Sequence, residues 1–203
     1  MNMKSFAAIL VLLAVAGCGT NSPISWFRPE PDGLTVRSVK GEVEYSHGGA
    51  WDPLRVNMVF TNGAQIRTGH DSEVYFSVGR SAVVKLTVDS ELVLTAMMVQ
   101  RHLFADSTRT VLELRQGTIQ GSVKKLARES SFQIRGGGLT VENRGGDLRM
   151  SADGRVEAVA SENGAVTVQA GGKAYPLQTG EYFDPKKNEV GKLPDRPIIR
   201  PDL

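Results

Sequence analysis

The sequence predicts an all-β protein, with antiparallel sheets packed face to face as a single-domain β-sandwich behind a signal peptide. Three observations predict it. Apolar residues alternate with polar ones in many short runs, among them Val74-Phe76-Val78, Val84-Leu86-Val88, Leu92-Leu94, Leu112-Leu114, Phe132-Ile134 and Val166-Val168. Turn signals fall between the runs, at Asp32-Gly33, Gly48-Gly49, Asn62-Gly63, Gly136 to Gly138, Gly145-Gly146, Asp153-Gly154, Asn163-Gly164 and Gly171-Gly172. Helical periodicity is confined to one weak stretch, Ala96 to Phe104, whose two methionines read as core filling.

Period two puts the apolar side chains on one face of a strand. Glu73, Tyr75, Lys85, Thr87, Glu113 and Gln133 then face the other way. Asn-Gly and Asp-Gly suit tight hairpins because both central residues accept positive φ. Short strands with one polar face argue for antiparallel sheets packed face to face.

The amino terminus has a different character. Lys4 supplies a positive start, Phe6 to Val15 is an apolar run of ten residues, and Val15-Ala16-Gly17 is a small-residue cleavage region. A membrane-spanning helix needs about 20 apolar residues, so residues 1–17 read as an export signal. Cys18 is the only cysteine, which excludes an internal disulfide and a multi-cysteine metal site. Residues 18–33 carry three prolines and no period, as expected of a tether. Residues 34–183 form the β domain, and residues 184–203, with prolines at 185, 194, 197 and 201, read as an extended tail.

Removing the signal takes away Lys4 and leaves 23 basic residues (24 minus 1) against 22 acidic. That balance gives no strong attraction to nucleic acid, and none is expected as a partner. The Arg-Gly-Gly triplets at Arg135 and Arg144 read as chain reversals.

The stretch "LELRQGTIQGSVKKL", Leu112 to Leu126, resembles a phosphate loop only in its letters. It lacks Gly-Lys-Ser/Thr, and Leu112, Leu114, Ile119 and Val123 keep strand alternation across its glycines, so it reads as two strands joined at Gln116-Gly117. His47, His70 and His102 share no ligand spacing, so no metal or other cofactor is expected. "His70-Asp71-Ser72" has the residue types of a hydrolytic triad, but neighbours on an extended or turning chain diverge, so it reads as a polar turn. Ser81 lacks the second glycine of a nucleophile elbow. Carboxylates are scattered, and the 6% aromatic content is low for a sugar-cleaving cleft. No catalytic residue is expected, and the chain reads as a non-enzyme.

Two resemblances go further. "LLAVAGC" resembles the bacterial lipobox. That resemblance implies cleavage between Gly17 and Cys18 and lipid on the Cys18 thiol, with Gly19 fitting outer-membrane sorting. The body resembles the FecR domain. "VRSVKGEVEY" (Val36 to Tyr45) is similar to that family's first hairpin, and "NGAQIRTGHDSEVYFSVG" (Asn62 to Gly79) to its Thr-Gly segment. "LELRQGTIQGSVKKL" is similar to the strand-Gly-strand unit before "SSFQIR", and Gly164 to Phe183 to the closing hairpin. The sequence departs from the family at Arg144-Gly145-Gly146, where Arg-Gly-Thr is usual.

The resemblance implies a jelly-roll-like sandwich and an envelope sensor, scaffold or interaction module without catalysis. The expected localisation is the bacterial cell envelope, lipid-anchored on the outer membrane and facing the periplasm. The expected partners are the membrane, through lipid on Cys18, and an envelope protein; the alternative is a cell-wall or polysaccharide ligand. A transport-signalling regulator would use a cytoplasmic segment and a transmembrane helix, which the sequence reading does not expect. A glycan-cleaving enzyme would need two carboxylates facing one cleft. The residues that hold the partner are not specified by any motif.

Overall fold

The computed structural model describes residues 33–100, 107–161 and 165–194. Residues 1–17, Cys18 and most of the 18–33 tether lie outside the described residues, as does His102. Two nine-stranded sheets face each other, and the described residues contain no helix. The first sheet holds β1 (Leu34–Lys40), β4 (Val59–Phe60), β6 (Glu73–Val78), β7 (Ala82–Leu86), β10 (Thr118–Val123), β13 (Gly146–Ser151), β14 (Val156–Ser161), β17 (Glu181–Asp184) and β18 (Glu189–Lys192). The second holds β2 (Val43–Ser46), β3 (Asp52–Pro53), β5 (Gln65–Thr68), β8 (Glu91–Gln100), β9 (Ser107–Gln116), β11 (Ser131–Gly136), β12 (Leu139–Asn143), β15 (Val166–Ala170) and β16 (Lys173–Leu177).

The alternation read from sequence is the alternation of burial. Val74, Phe76, Val84, Leu86, Leu92, Leu94, Leu112, Ile134, Val166 and Val168 all face one core shared by both sheets. Each such side chain contributes about 1.5–3 kcal/mol by leaving water. The single core is why the chain forms a sandwich and not two separate sheets. Val88 is the exception among the inward-reading residues. It stands exposed because β7 ends at Leu86 and the chain turns at Asp89, whose φ is 49°.

Strand order follows the chain closely, as β4-β1-β6-β7-β10-β13-β14-β17-β18 in one sheet and β3-β2-β5-β8-β9-β11-β12-β15-β16 in the other. The chain passes repeatedly between the face-to-face sheets of the sandwich, and the order within each sheet is close to sequential. Strands pair antiparallel except β9 and β11, whose ladder runs from Ser131 opposite Arg109 to Arg135 opposite Glu113. They are parallel because the chain leaves β9, forms β10 in the opposite sheet, and returns through residues 124–130.

The passages are built from turns that carry polar groups. At Gln116-Gly117 the two strands read from sequence do meet, but as a corner between sheets and not as a hairpin: Gly117 has φ +78°. The Thr118 N–H donates to Ser90 Oγ at 2.9 Å, and that hydroxyl donates to Val88 O at 2.9 Å. The β1–β2 corner repeats the device. Gly41 has φ +74°, the Glu42 N–H donates to Ser72 Oγ at 2.8 Å, and Ser72 Oγ donates to His70 O at 3.1 Å. Backbone bonds link the corners: Gly69 N–H to Glu42 O, Asp89 N–H to Gly69 O, Thr87 N–H to Thr118 O and Ala152 N–H to Gly117 O. One end of the sandwich is closed by this stack, and every buried hydroxyl in it is satisfied.

Two local expectations change. Ala96 to Gln100 is strand, paired to Val111 through Ser107, and not helix; cross-strand pairing overrides the helix propensity of alanine and methionine. Met97 packs on the core, but Met98 is 49% exposed. The ordered sheet also passes residue 183, since β18 pairs with β17 from Glu181 opposite Lys192 to Asp184 opposite Glu189. Lys186 and Lys187 occupy the turn between them, so Pro185 stands outside both strands and removes no ladder donor.

Candidate interaction surface

At the end opposite the corner stack, β8 and β9 outrun their neighbours. On one side β5 pairs with β8 only from Gln65 opposite Val93 to Arg67 opposite Glu91. On the other, β11 meets β9 no further along than Arg109. The β8–β9 ladder nevertheless continues through Met98 opposite Arg109 and Val99 opposite Thr108 to Gln100 opposite Ser107. At about 3.4 Å per residue, the last two pairs carry the ribbon about 7 Å past the end of β11. A bulge between Leu94 and Ala96 turns the ribbon as it leaves the sheet.

The base of the ribbon is held on both sides. Asn62 Oδ1 accepts the Met97 N–H at 2.6 Å, and Gly63 and Ala64 exchange backbone bonds with Leu94. Across the ribbon, the Thr108 N–H donates to Ser130 Oγ at 3.1 Å. Ser130 belongs to a loop fixed by Arg144. The guanidinium donates to Ser130 O (3.2 Å), Ala127 O (3.2 Å) and Arg128 O (3.0 Å), and pairs with Glu142 at 3.3 Å. Arg144-Gly145-Gly146 is therefore a structural crossing between sheets whose arginine organises a loop 14 to 17 residues upstream.

Beyond that base, the free side of β8 from Met98 to Gln100 faces no strand among the described residues. Met98 adds a large exposed apolar side chain. Sequence alternation did not single out this surface. The signal available was the pair of ten-residue runs, "ELVLTAMMVQ" and "STRTVLELRQ", flanking a short segment.

The chemically suggestive residues are not brought together. Ser72 is fully buried, and its hydroxyl is committed to the Glu42 N–H and His70 O. The His70 ring points away to Asp89, 3.3 Å distant, with both side chains largely exposed. His47 packs near Tyr45 and Phe60, with ring centroids 6.1 and 6.2 Å away. Ser81 lies in the β6–β7 turn, where its N–H donates to Val78 O. Among the described residues, no group of three or more His, Cys, Asp or Glu could hold a metal ion, and no helix is long and apolar enough to cross a membrane.

The carboxylates pair locally with cations. Lys85 lies 2.8 Å from Glu73 and 4.9 Å from the Tyr75 ring. The hydrogen bond from Lys85 holds the Glu73 carboxyl below its ordinary range. Arg155 pairs with Glu157 at 3.0 Å and lies over the Tyr182 ring at 4.0 Å. Arg67 pairs with Glu44 at 2.7 Å and covers Trp51 at 4.2 Å.

No protein-family model matches the chain, and no curated protein matches it. Two crystal structures of a proposed anti-sigma factor from Parabacteroides distasonis ATCC 8503 are similar to it, with TM-scores of 0.48 and 0.47 and 16% sequence identity. Each match covers 63% of this chain and 58% of that one.

Proposed function

We propose that the chain is a lipid-anchored, envelope-facing FecR-type domain that works without catalysis, as a sensor or scaffold, and holds a protein partner through the β8–β9 ribbon. The ribbon carries the reading. Its free β8 side offers main-chain donors and acceptors to an added strand, and Met98 offers a soft apolar contact. Natural sheets normally blunt such edges. Three of the four outermost strands carry such residues: Asp52 and Pro53 on β3, Pro176 on β16, and Glu189 and Lys192 on β18. An open, partly apolar ribbon beside blunted edges fits a surface kept for a partner.

A photo-crosslinking residue at position 98, with position 190 on β18 as an exposed control, tests this in intact cells. The expected result is a discrete protein adduct from 98 that is absent from 190. No adduct at 98, the same species from both positions, or lipid adducts alone would refute the ribbon as the docking element.

The anchor in this reading is lipid on Cys18, after cleavage behind Gly17, on the periplasmic face of the outer membrane. One acyl chain gives only reversible attachment, at about 0.8 kcal/mol per buried methylene, whereas more than one anchors stably. Wild-type protein is expected to label with a palmitate analogue and Cys18→Ser protein is not. Equal labelling of the two, or none in the wild type, would remove the anchor.

A further inference from the structure

The chain enters the domain at the same end of the sandwich from which the ribbon leaves it. β1 begins there at Leu34 and runs to the Gly41 corner at the far end. Gly33 is buried, and a Cβ on it would lie 2.6 Å from Phe60 O and 2.6 Å from Val59 Cγ1. Asn62, whose Oδ1 accepts the Met97 N–H, stands two residues beyond Phe60, at most about 7 Å along the chain. One short turn therefore separates the point of entry from the open side of β8.

That open side has a definite register. Met97 turns its N–H toward Asn62 and away from β9, and the ladder runs on from Met97 to Gln100 without a further shift. Alternate residues of a strand bond to the same side, so the Val99 N–H and C=O also face away from β9. No described strand pairs with them. Met98 shares a sheet face with Ala96 and, across the ladder, with Val111. The sequence upstream of Gly33 supplies an occupant. Between Pro23 and Pro29 it reads Ile24-Ser25-Trp26-Phe27-Arg28, five residues that keep their N–H groups and include three strong strand formers. The link Pro29-Glu30-Pro31-Asp32 favours an extended form about 12 Å long, at about 3.1 Å per residue. That length is close to the path from Phe60 to Asn62 and on from Met97 to Val99.

We propose that residues 24–28 of the same chain add to the open side of β8 as a strand, masking the ribbon until a partner displaces them. Val99 takes the main-chain bonds, and the alternating Ile24 and Trp26 extend the apolar face of Met98, Ala96 and Val111. A segment held on so short a link is present at an effective concentration of about 1 mM. A strand from another molecule then displaces it only by adding contacts beyond the shared main-chain bonds. A second copy of the chain is disfavoured because it would have to match that concentration. Masking also blunts an edge that would otherwise pair indiscriminately. The displacement step rests on the proposed role of the ribbon in holding a partner; the contact within the chain does not.

The test uses purified protein beginning at residue 19, which keeps every described strand and has no partner present. A photo-crosslinking residue at position 98 is expected to link to residues 24–28 of its own chain, as located by peptide mapping, and one at position 190 is not. Mixing with isotopically labelled protein separates links within a chain from links between copies. Hydrogen exchange at the Val99 amide is expected to rise about tenfold when Ile24→Ser and Trp26→Ser are combined, the equivalent of one lost hydrogen bond. Exchange elsewhere in both sheets should stay as in the wild type, since neither substitution lies in a described strand. No link to residues 24–28, links only between copies, or unchanged Val99 exchange would overturn the proposal. In intact cells the same double variant is expected to raise the yield of the partner adduct from position 98 severalfold, and an unchanged yield would overturn the masking. No adduct from either form would overturn the partner reading of the ribbon, whereas the added strand stands or falls on the purified protein.

Discussion

Replacing Gly117 by alanine attacks the corner where the chain passes from β9 to β10. Two costs add there. A residue with a Cβ held at φ +78° loses about 1–2 kcal/mol relative to glycine. The new Cβ also lands 2.6 Å from Ser90 Cα and onto Ser90 Oγ, a separation that real atoms do not tolerate. Ser90 is 2% exposed and accepts the Thr118 N–H, so pushing it aside leaves a buried donor unpaired, at about 1–3 kcal/mol. The total is about 2–5 kcal/mol, against about 5–15 kcal/mol for the stability of an ordinary domain. Gly180 supplies the control, with φ +80° and nothing within 4 Å of its hypothetical Cβ, so Gly180→Ala carries the conformational cost alone. Urea unfolding of both variants should place the Gly117→Ala midpoint about 1 M below that of Gly180→Ala. Removing the Ser90 hydroxyl should not restore Gly117→Ala, because the clash includes the Ser90 backbone. Equal midpoints for the two alanine variants, or rescue by Ser90→Ala, would refute the close-approach account of this corner.

Glu73 makes acid stability a readout of its bond to Lys85. Because the folded-state carboxyl titrates below its ordinary value of 4.5, its contribution is present above that value and lost as pH falls through the folded one. Unfolding free energy of Glu73→Gln should therefore fall less steeply than wild type below about pH 4.5. Asp153, held low by the Ser151 hydroxyl and then by the Arg155 N–H, should give Asp153→Asn the same direction. Parallel acid limbs for variant and wild type would contradict either assignment. Arg144→Ala should free the loop that supports the ribbon, raising hydrogen exchange at residues 127–131 and at the Thr108 amide by about tenfold, the equivalent of one lost hydrogen bond. A uniform rise across both sheets would instead mark global destabilisation.

How much of this was legible depended on the range of the forces involved. Strand identity is local, so Val74-Phe76 and Leu92-Leu94 were readable from alternation alone. Sheet membership is not. Nothing within "LELRQGTIQGSVKKL" tells whether Gly117 makes a hairpin or a corner, because β10 is placed by ladders to β7 and β13, some thirty residues away on each side. The stretch from Ala96 misled for a related reason, since its helix-forming residues are held extended by a partner strand. The expectation of lipid on Cys18 was read from contiguous residues, and Cys18 lies outside the described residues. Of the candidate site, the ribbon was not legible, since its length is defined by where β5 and β11 stop. The bonds of Arg144 to the carbonyls of residues 127, 128 and 130 were equally hidden, because only folding brings those groups together.

Strand order that follows the chain has a consequence for how the sandwich comes into being. In a Greek-key arrangement the first strand waits for a distant segment before it is covered. Here most strands find their lateral neighbours among those made immediately before or after them. A chain released from its amino terminus can thus assemble from one side to the other, with each new pair of strands templated on a completed border. Such assembly keeps loop-closure costs small and brief. The same property makes the architecture extensible, because a further pair of strands placed after β18 would lengthen the sandwich while leaving every earlier ladder as it is.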